Sequence, residues 1–162
     1  MRTFLKLGRE EGGAATIELA LVAPFLATLC VGVADISIAY GKKLELEQGA
    51  QRAIEKVMQT TGEDSVEDAI KKEAVCQING QNEDGTCAEG AIEADDVDVT
   101  YRLECNGSVQ TSYDLECPTG QVETRYISVT VVDDYTPMFP IKFGVGADGN
   151  YNLSTTAGVR VK

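Results

Sequence analysis

Gly13-Ala14-Ala15-Thr16-Ile17-Glu18-Leu19-Ala20-Leu21-Val22-Ala23-Pro24-Phe25-Leu26-Ala27-Thr28-Leu29-Cys30-Val31-Gly32-Val33-Ala34-Asp35 is an apolar run interrupted by one acid near its start and closed by another. Residues 19–34 carry no charge, and Ile36, Ile38 and Ala39 extend the apolar character toward Gly41. At about 1.5 Å of rise per residue, a helix from Ala14 to Tyr40 covers roughly 40 Å. That exceeds the ~30 Å hydrocarbon core of a bilayer. Glu18 sits one turn inside the run, where a carboxylate is costly in lipid and demands a partner. Asp35 lies near the outer end, at an interfacial position or in a subunit contact. Pro24 removes one backbone bond and crowds the carbonyl of Ala20, which predicts a kink near residues 20–24.

Beyond Gly41 the pattern turns amphipathic. Leu46, Ala50, Ala53, Ile54 and Val57 recur at helical spacing, with Lys, Glu, Gln and Arg opposite. One continuous helix from about Ala14 to Thr60, ending at Thr61-Gly62, is the expectation. A second, short helix is predicted from Ser65 to near Cys76, and a loop over Asn79 to Gly90. From Asp96 the period becomes two. Val97, Val99, Tyr101, Leu103 and Cys105 alternate with polar residues as a half-buried strand. Tyr113, Leu115 and Cys117 suggest a shorter one, Ile127, Val129 and Val131 a third, and Leu153 to Val161 a fourth. Four strands with one apolar face need a cover, and the amphipathic half of the long helix has the right stripe. The expected fold class is α+β: a long N-terminal helix, half transmembrane and half amphipathic, packed on a small antiparallel sheet.

Composition narrows function. The 162 residues carry a net charge of −12, with no His and no Trp. No dense Lys or Arg patch offers a nucleic-acid footprint. Without His the commonest general base and metal ligand are missing. No nucleophile–base pair takes their place, so an enzyme is not expected, nor a cofactor. Cys30 lies in the apolar run, where it acts as a small apolar residue, while Cys76, Cys87, Cys105 and Cys117 fall beyond it. None of their spacings makes a Cys-x2-4-Cys knuckle, so disulfides are expected rather than a metal site. Neighbours in sequence close the smallest loops, which pairs Cys76 with Cys87 and Cys105 with Cys117. Such bridges imply an oxidising compartment. Basic residues at Arg2, Lys6 and Arg9 favour a cytoplasmic N-terminus, though Lys42 and Lys43 lie at the other end of the run. The cysteines decide the orientation, with the C-terminal part outside.

A long helix half in the membrane and half on a sheet is the architecture of pilin-like proteins. The string Gly13-Ala14-Ala15-Thr16-Ile17-Glu18 resembles a type IV prepilin processing site, with cleavage after Gly13 and Glu at the fifth mature position. Its continuation through Leu26 resembles the opening of the TadE-like pseudopilin family of Tad (Flp, type IVb) pilus systems. Tyr135-Thr136-Pro137-Met138-Phe139-Pro140 is similar to that family's Tyr-x-Pro-Leu-Phe-Pro element, and the closing Thr156-Ala157-Gly158-Val159-Arg160-Val161 to its final strand.

The resemblance implies a minor pilin or pseudopilin, single-pass in the cytoplasmic membrane. Residues 1–13 would be a leader removed by prepilin peptidase, 14–41 the transmembrane segment, and 42–162 an extracytoplasmic domain. It further implies that Glu18 meets the new Ala14 amine of a neighbouring subunit. Its partners would be other pilins, the peptidase, the pilus assembly platform and the bilayer, with surface adhesion as the outcome. Ala rather than Phe at the first mature position departs from the usual pilin. The runner-up is an envelope adhesin or binding domain without an assembly role, either membrane-anchored or secreted after cleavage behind Ala34 or Ala39. An acid and a central Pro inside the run weigh against a secretory signal.

Overall fold

The computed structural model describes residues 11–59, 66–139 and 145–161. Helix α1 (Glu11–Gln59) runs through Pro24 without a break, and helix α2 (Val66–Asn79) follows. The stretches expected to end the first helix, Thr61-Gly62, and to start the second, Ser65, lie outside the described residues. A single turn of 3-10 helix at Ala94–Asp96 leads into strand β1 (Val97–Cys105). Strands β2 (Ser108–Val109), β3 (Glu123–Tyr135) and β4 (Tyr151–Arg160) complete a sheet in the order β2-β1-β3-β4, with every pair antiparallel. The architecture is α+β and pilin-like, a long helix followed by a small antiparallel sheet, as the alternation of periods predicts.

The helical stripe supplies the core. Leu46, Ala50, Ala53, Ile54 and Val57 are all buried, against Ile70 and Ala74 of α2, Val97 and Val99 of β1, and Ile127, Val129 and Val131 of β3. Val99 faces Val129 and Ile127 faces Val159 across the sheet, so the apolar face is continuous from β1 to β4. Gly49 is buried where the two helices meet. A Cβ there would collide with the side chain of Ile78 and come within 3.3 Å of the Ala74 carbonyl. Its absence lets the helices approach closely.

Disulfides join Cys76 to Cys87 and Cys105 to Cys117. The first fastens the 79–90 loop to the end of α2. Asn79 adds to it by donating to the Ile92 carbonyl at 2.7 Å and accepting from the Ile92 amide at 3.3 Å.

One expected strand is absent and another takes its place. Tyr113–Cys117 is irregular rather than extended. The chain instead reverses directly after Cys105 on Asn106 and Gly107, both at positive φ (49° and 80°), and returns as β2. An Asn-Gly pair accepts that left-handed geometry at low cost and favours a two-residue hairpin. Residues 110–122 then wander, held by the Cys105–Cys117 bridge and by Arg125. Its guanidinium donates to the carbonyls of Tyr113 at 2.6 Å and Leu115 at 3.0 Å. Tyr113 packs against Tyr101, the one residue of the predicted inward set of β1 that stays exposed, with ring centroids 5.2 Å apart.

Candidate functional site

The first half of α1 has no core to face. Ile17, Leu19, Leu21, Phe25, Leu29 and Val33 point in different directions around the helix and are all exposed. The helix is long and apolar enough to cross a membrane, and none of its most apolar stretch is buried. A helix apolar on all sides has no stable place in water, so this half is a candidate membrane anchor.

Gly13 and Ala14 lie in the first turns of α1. Among the described residues a Cβ built on Gly13 meets nothing within 4 Å, so no packing there calls for glycine. Glu18 is exposed on the apolar half, and among the described residues no hydrogen bond or ion pair reaches its carboxylate. Cys30 is a free, exposed thiol in the same half.

Asp35 is only 2% exposed, so its carboxylate is engaged within its own chain rather than free for a second subunit. The segment leaving β3 folds back over it. Oδ1 accepts the backbone N–H of Met138 at 3.0 Å, and Oδ2 that of Phe139 at 3.1 Å. The hydroxyl of Tyr135 donates to Oδ1 at a longer 3.4 Å. Pro137 brings no N–H of its own, so the next two amides are the first donors the segment presents, and both turn to one carboxylate. Consecutive amides converging in this way make a natural anion cradle.

The cradle is braced from behind. Tyr135 pairs with Tyr151 across the β3–β4 ladder, and their rings stack at 6.2 Å. Thr136 bonds Asn150 at 3.1 Å, and Asn152 donates to Asp134 at 2.7 Å. The phenol of Tyr135 titrates above its ordinary value, first from desolvation and then from the charge of Asp35 and the hydrogen bond to it. The structure therefore unites two features that stood apart in the sequence, the acid at the end of the apolar run and the Tyr-x-Pro-x-Phe element. It leaves Glu18 outside that cluster.

The disulfide cysteines sit farther along and line neither feature. Among the described residues no three of Cys, Asp and Glu converge to hold a metal ion. Arg125 and Glu123, paired at 2.7 Å, are likewise structural, bracing the irregular 110–122 segment.

A membrane-length apolar helix whose far half is roofed by a small disulfide-braced sheet is a pilin-like α+β arrangement. More particularly, residues 13–54 match the family model described as TadE-like protein. The match begins at Gly13, takes in Glu18 and Asp35, and ends within the core-facing stripe at Ile54. Over those residues the chain is similar to a structural family associated with Tad pili. No curated protein and no solved structure matches the chain.

Proposed function

We propose that this chain is a minor pilin or pseudopilin of a Tad-type pilus. Residues 14–41 span the cytoplasmic membrane, and residues 42–162 form an extracytoplasmic domain. Prepilin peptidase cuts after Gly13, and the mature chain joins other pilins and the assembly platform, contributing to surface adhesion. The observation that carries this reading is Glu18, which has no partner among the described residues. A carboxylate in an apolar, lipid-length helix needs compensation, and none comes from the described part of its own chain. A cleaved neighbour would offer one in the α-amine of its Ala14. Glycine at 13 fits a peptidase that must approach the backbone closely, since nothing inside the fold requires it. The two disulfides favour the oxidising side of the membrane for the sheet domain.

Intact mass of the chain extracted from membranes tests this reading. A mature N-terminus at Ala14 supports it. A chain beginning after Ala34 or Ala39 belongs instead to a secreted binding domain, and a full-length chain to a plain anchor.

A further inference from the structure

We propose that the Pro137–Phe139 segment is a second, shallow membrane contact that seats the sheet domain on the outer lipid surface. This rests on the reading that the apolar half of α1 spans the bilayer.

Depth is the first argument. Residues 15–34 rise about 30 Å as a helix, which is the thickness of the hydrocarbon core. Asp35 follows directly as the first charge after Glu18, so a core that begins at residue 15 ends at its carboxylate. The amides of Met138 and Phe139 lie 3.0 and 3.1 Å from its carboxylate, which fixes their segment at the same height.

Surface chemistry is the second. Met138 is 70% exposed and Phe139 37%, beside a helix that shows Ile36, Ile38 and Tyr40 to the outside at the same level. Aromatic side chains with a polar handle favour the headgroup boundary. Tyr135 and Tyr151 stack beside the Asp35 carboxylate, and Tyr40 is exposed on α1 five residues beyond it.

The third argument is hydrogen bonding. A backbone cannot enter the edge of a bilayer with free N–H groups. Pro137 has none, and those of Met138 and Phe139 are already taken by Asp35. Three residues in a row thus present apolar side chains with no amide left to solvate, and none of the three is charged. Such a segment fits a lipid surface.

The absence of Trp makes the test direct, because each introduced indole reports alone. Met138→Trp, Phe25→Trp and Val109→Trp are placed singly in the full chain. Each is reconstituted in phosphatidylcholine–phosphatidylglycerol vesicles whose acyl chains are brominated either near the headgroup or near the tail. Phe25 lies within the span. Val109 is level with Thr124 near the far end of β3, about 36 Å along the strand from Tyr135. The expected result is strong quenching of Phe25→Trp by deep bromine, strong quenching of Met138→Trp by shallow bromine, and no quenching of Val109→Trp. Phe139→Trp, a more conservative change, should repeat the Met138 result. If Phe25→Trp is quenched while both loop indoles behave like Val109→Trp, the segment faces water or another subunit. The inference then fails and the anchor stands. Loss of quenching at Phe25→Trp removes the membrane span itself, and this inference with it.

Discussion

The Tyr135 hydroxyl meets the Asp35 carboxylate at 3.4 Å across 100 residues of sequence, at the point where α1 changes from all-round exposure to a core-facing stripe. Together with the two amides behind it, that contact fastens the end of the sheet to the middle of the helix. The bonds from Met138 and Phe139 are the shorter ones, so the backbone carries most of the grip and the phenol closes it.

Asp35→Ala should therefore cost more than Tyr135→Phe. Removing the carboxylate strands two amides that are partly buried, at about 1–3 kcal/mol for each unsatisfied group. Losing the long phenol bond should cost no more than ~1 kcal/mol. Denaturant unfolding of both variants in detergent micelles checks the order. Equal losses would mean that the amides find other partners.

The phenols give a pH signature. Tyr135 and Tyr101 both titrate above the ordinary tyrosine value of 10.0, and desolvation is the first cause for each. Below that value both stay protonated whether the chain is folded or not, so their contribution is fully present. Above it the unfolded chain ionises first, and the contribution fades as pH climbs through the raised folded values. In a tyrosinate absorbance titration, Asp35→Asn should move Tyr135 part of the way back and leave Tyr101 in place. Part, because burial remains when the charge is gone.

Both helices depend on Gly49. Gly49→Leu forces a side chain against Ile78 and the Ala74 carbonyl, and such overpacking costs about 1–3 kcal/mol. Thermal unfolding should show the loss, whereas Gly32→Leu, where a Cβ meets nothing within 4 Å, should fold normally.

Alkylation without reductant in denaturing detergent should modify Cys30 alone, and peptide mapping should recover the Cys76–Cys87 and Cys105–Cys117 pairs. Each closes a loop of about a dozen residues, a constraint of roughly 3 kcal/mol in the chain-entropy account. Reduction should first loosen residues 110–122, which have no strand of their own.

Much of this fold is legible in the residues, because long elements repeat their signal. Five apolar positions of α1 at helical spacing all reach the core, and the alternation in β1, β3 and β4 marks their inward faces. The failures are local. Three alternating residues at Tyr113, Leu115 and Cys117 mimic a strand, yet their positions are set by a disulfide, a ring contact and the Arg125 bonds. Asn106-Gly107 held the true turn signal. Asp35 is the larger omission. Its partners are backbone amides in an irregular segment a hundred residues away, and no periodicity connects the two. The Tyr-x-Pro-x-Phe element was visible as a string, but its role depends on tertiary contact with the helix.

In the proposed assembly Glu18 is retained for a pairing between subunits. The measurement that tests it most directly is co-purification of the Glu18→Ala chain with the other pilins, read alongside membrane level and mature N-terminus. Removing the carboxylate relieves about 2–3 kcal/mol of insertion cost, so a plain anchor should insert as well or better. In an assembly subunit the change leaves a neighbour's Ala14 amine buried and unpaired, a loss of about 3–5 kcal/mol. The predicted result is a chain inserted and cleaved after Gly13 that no longer co-purifies with its partners. A Glu18→Ala chain that is inserted, cleaved and co-purified as fully as the wild type would contradict it.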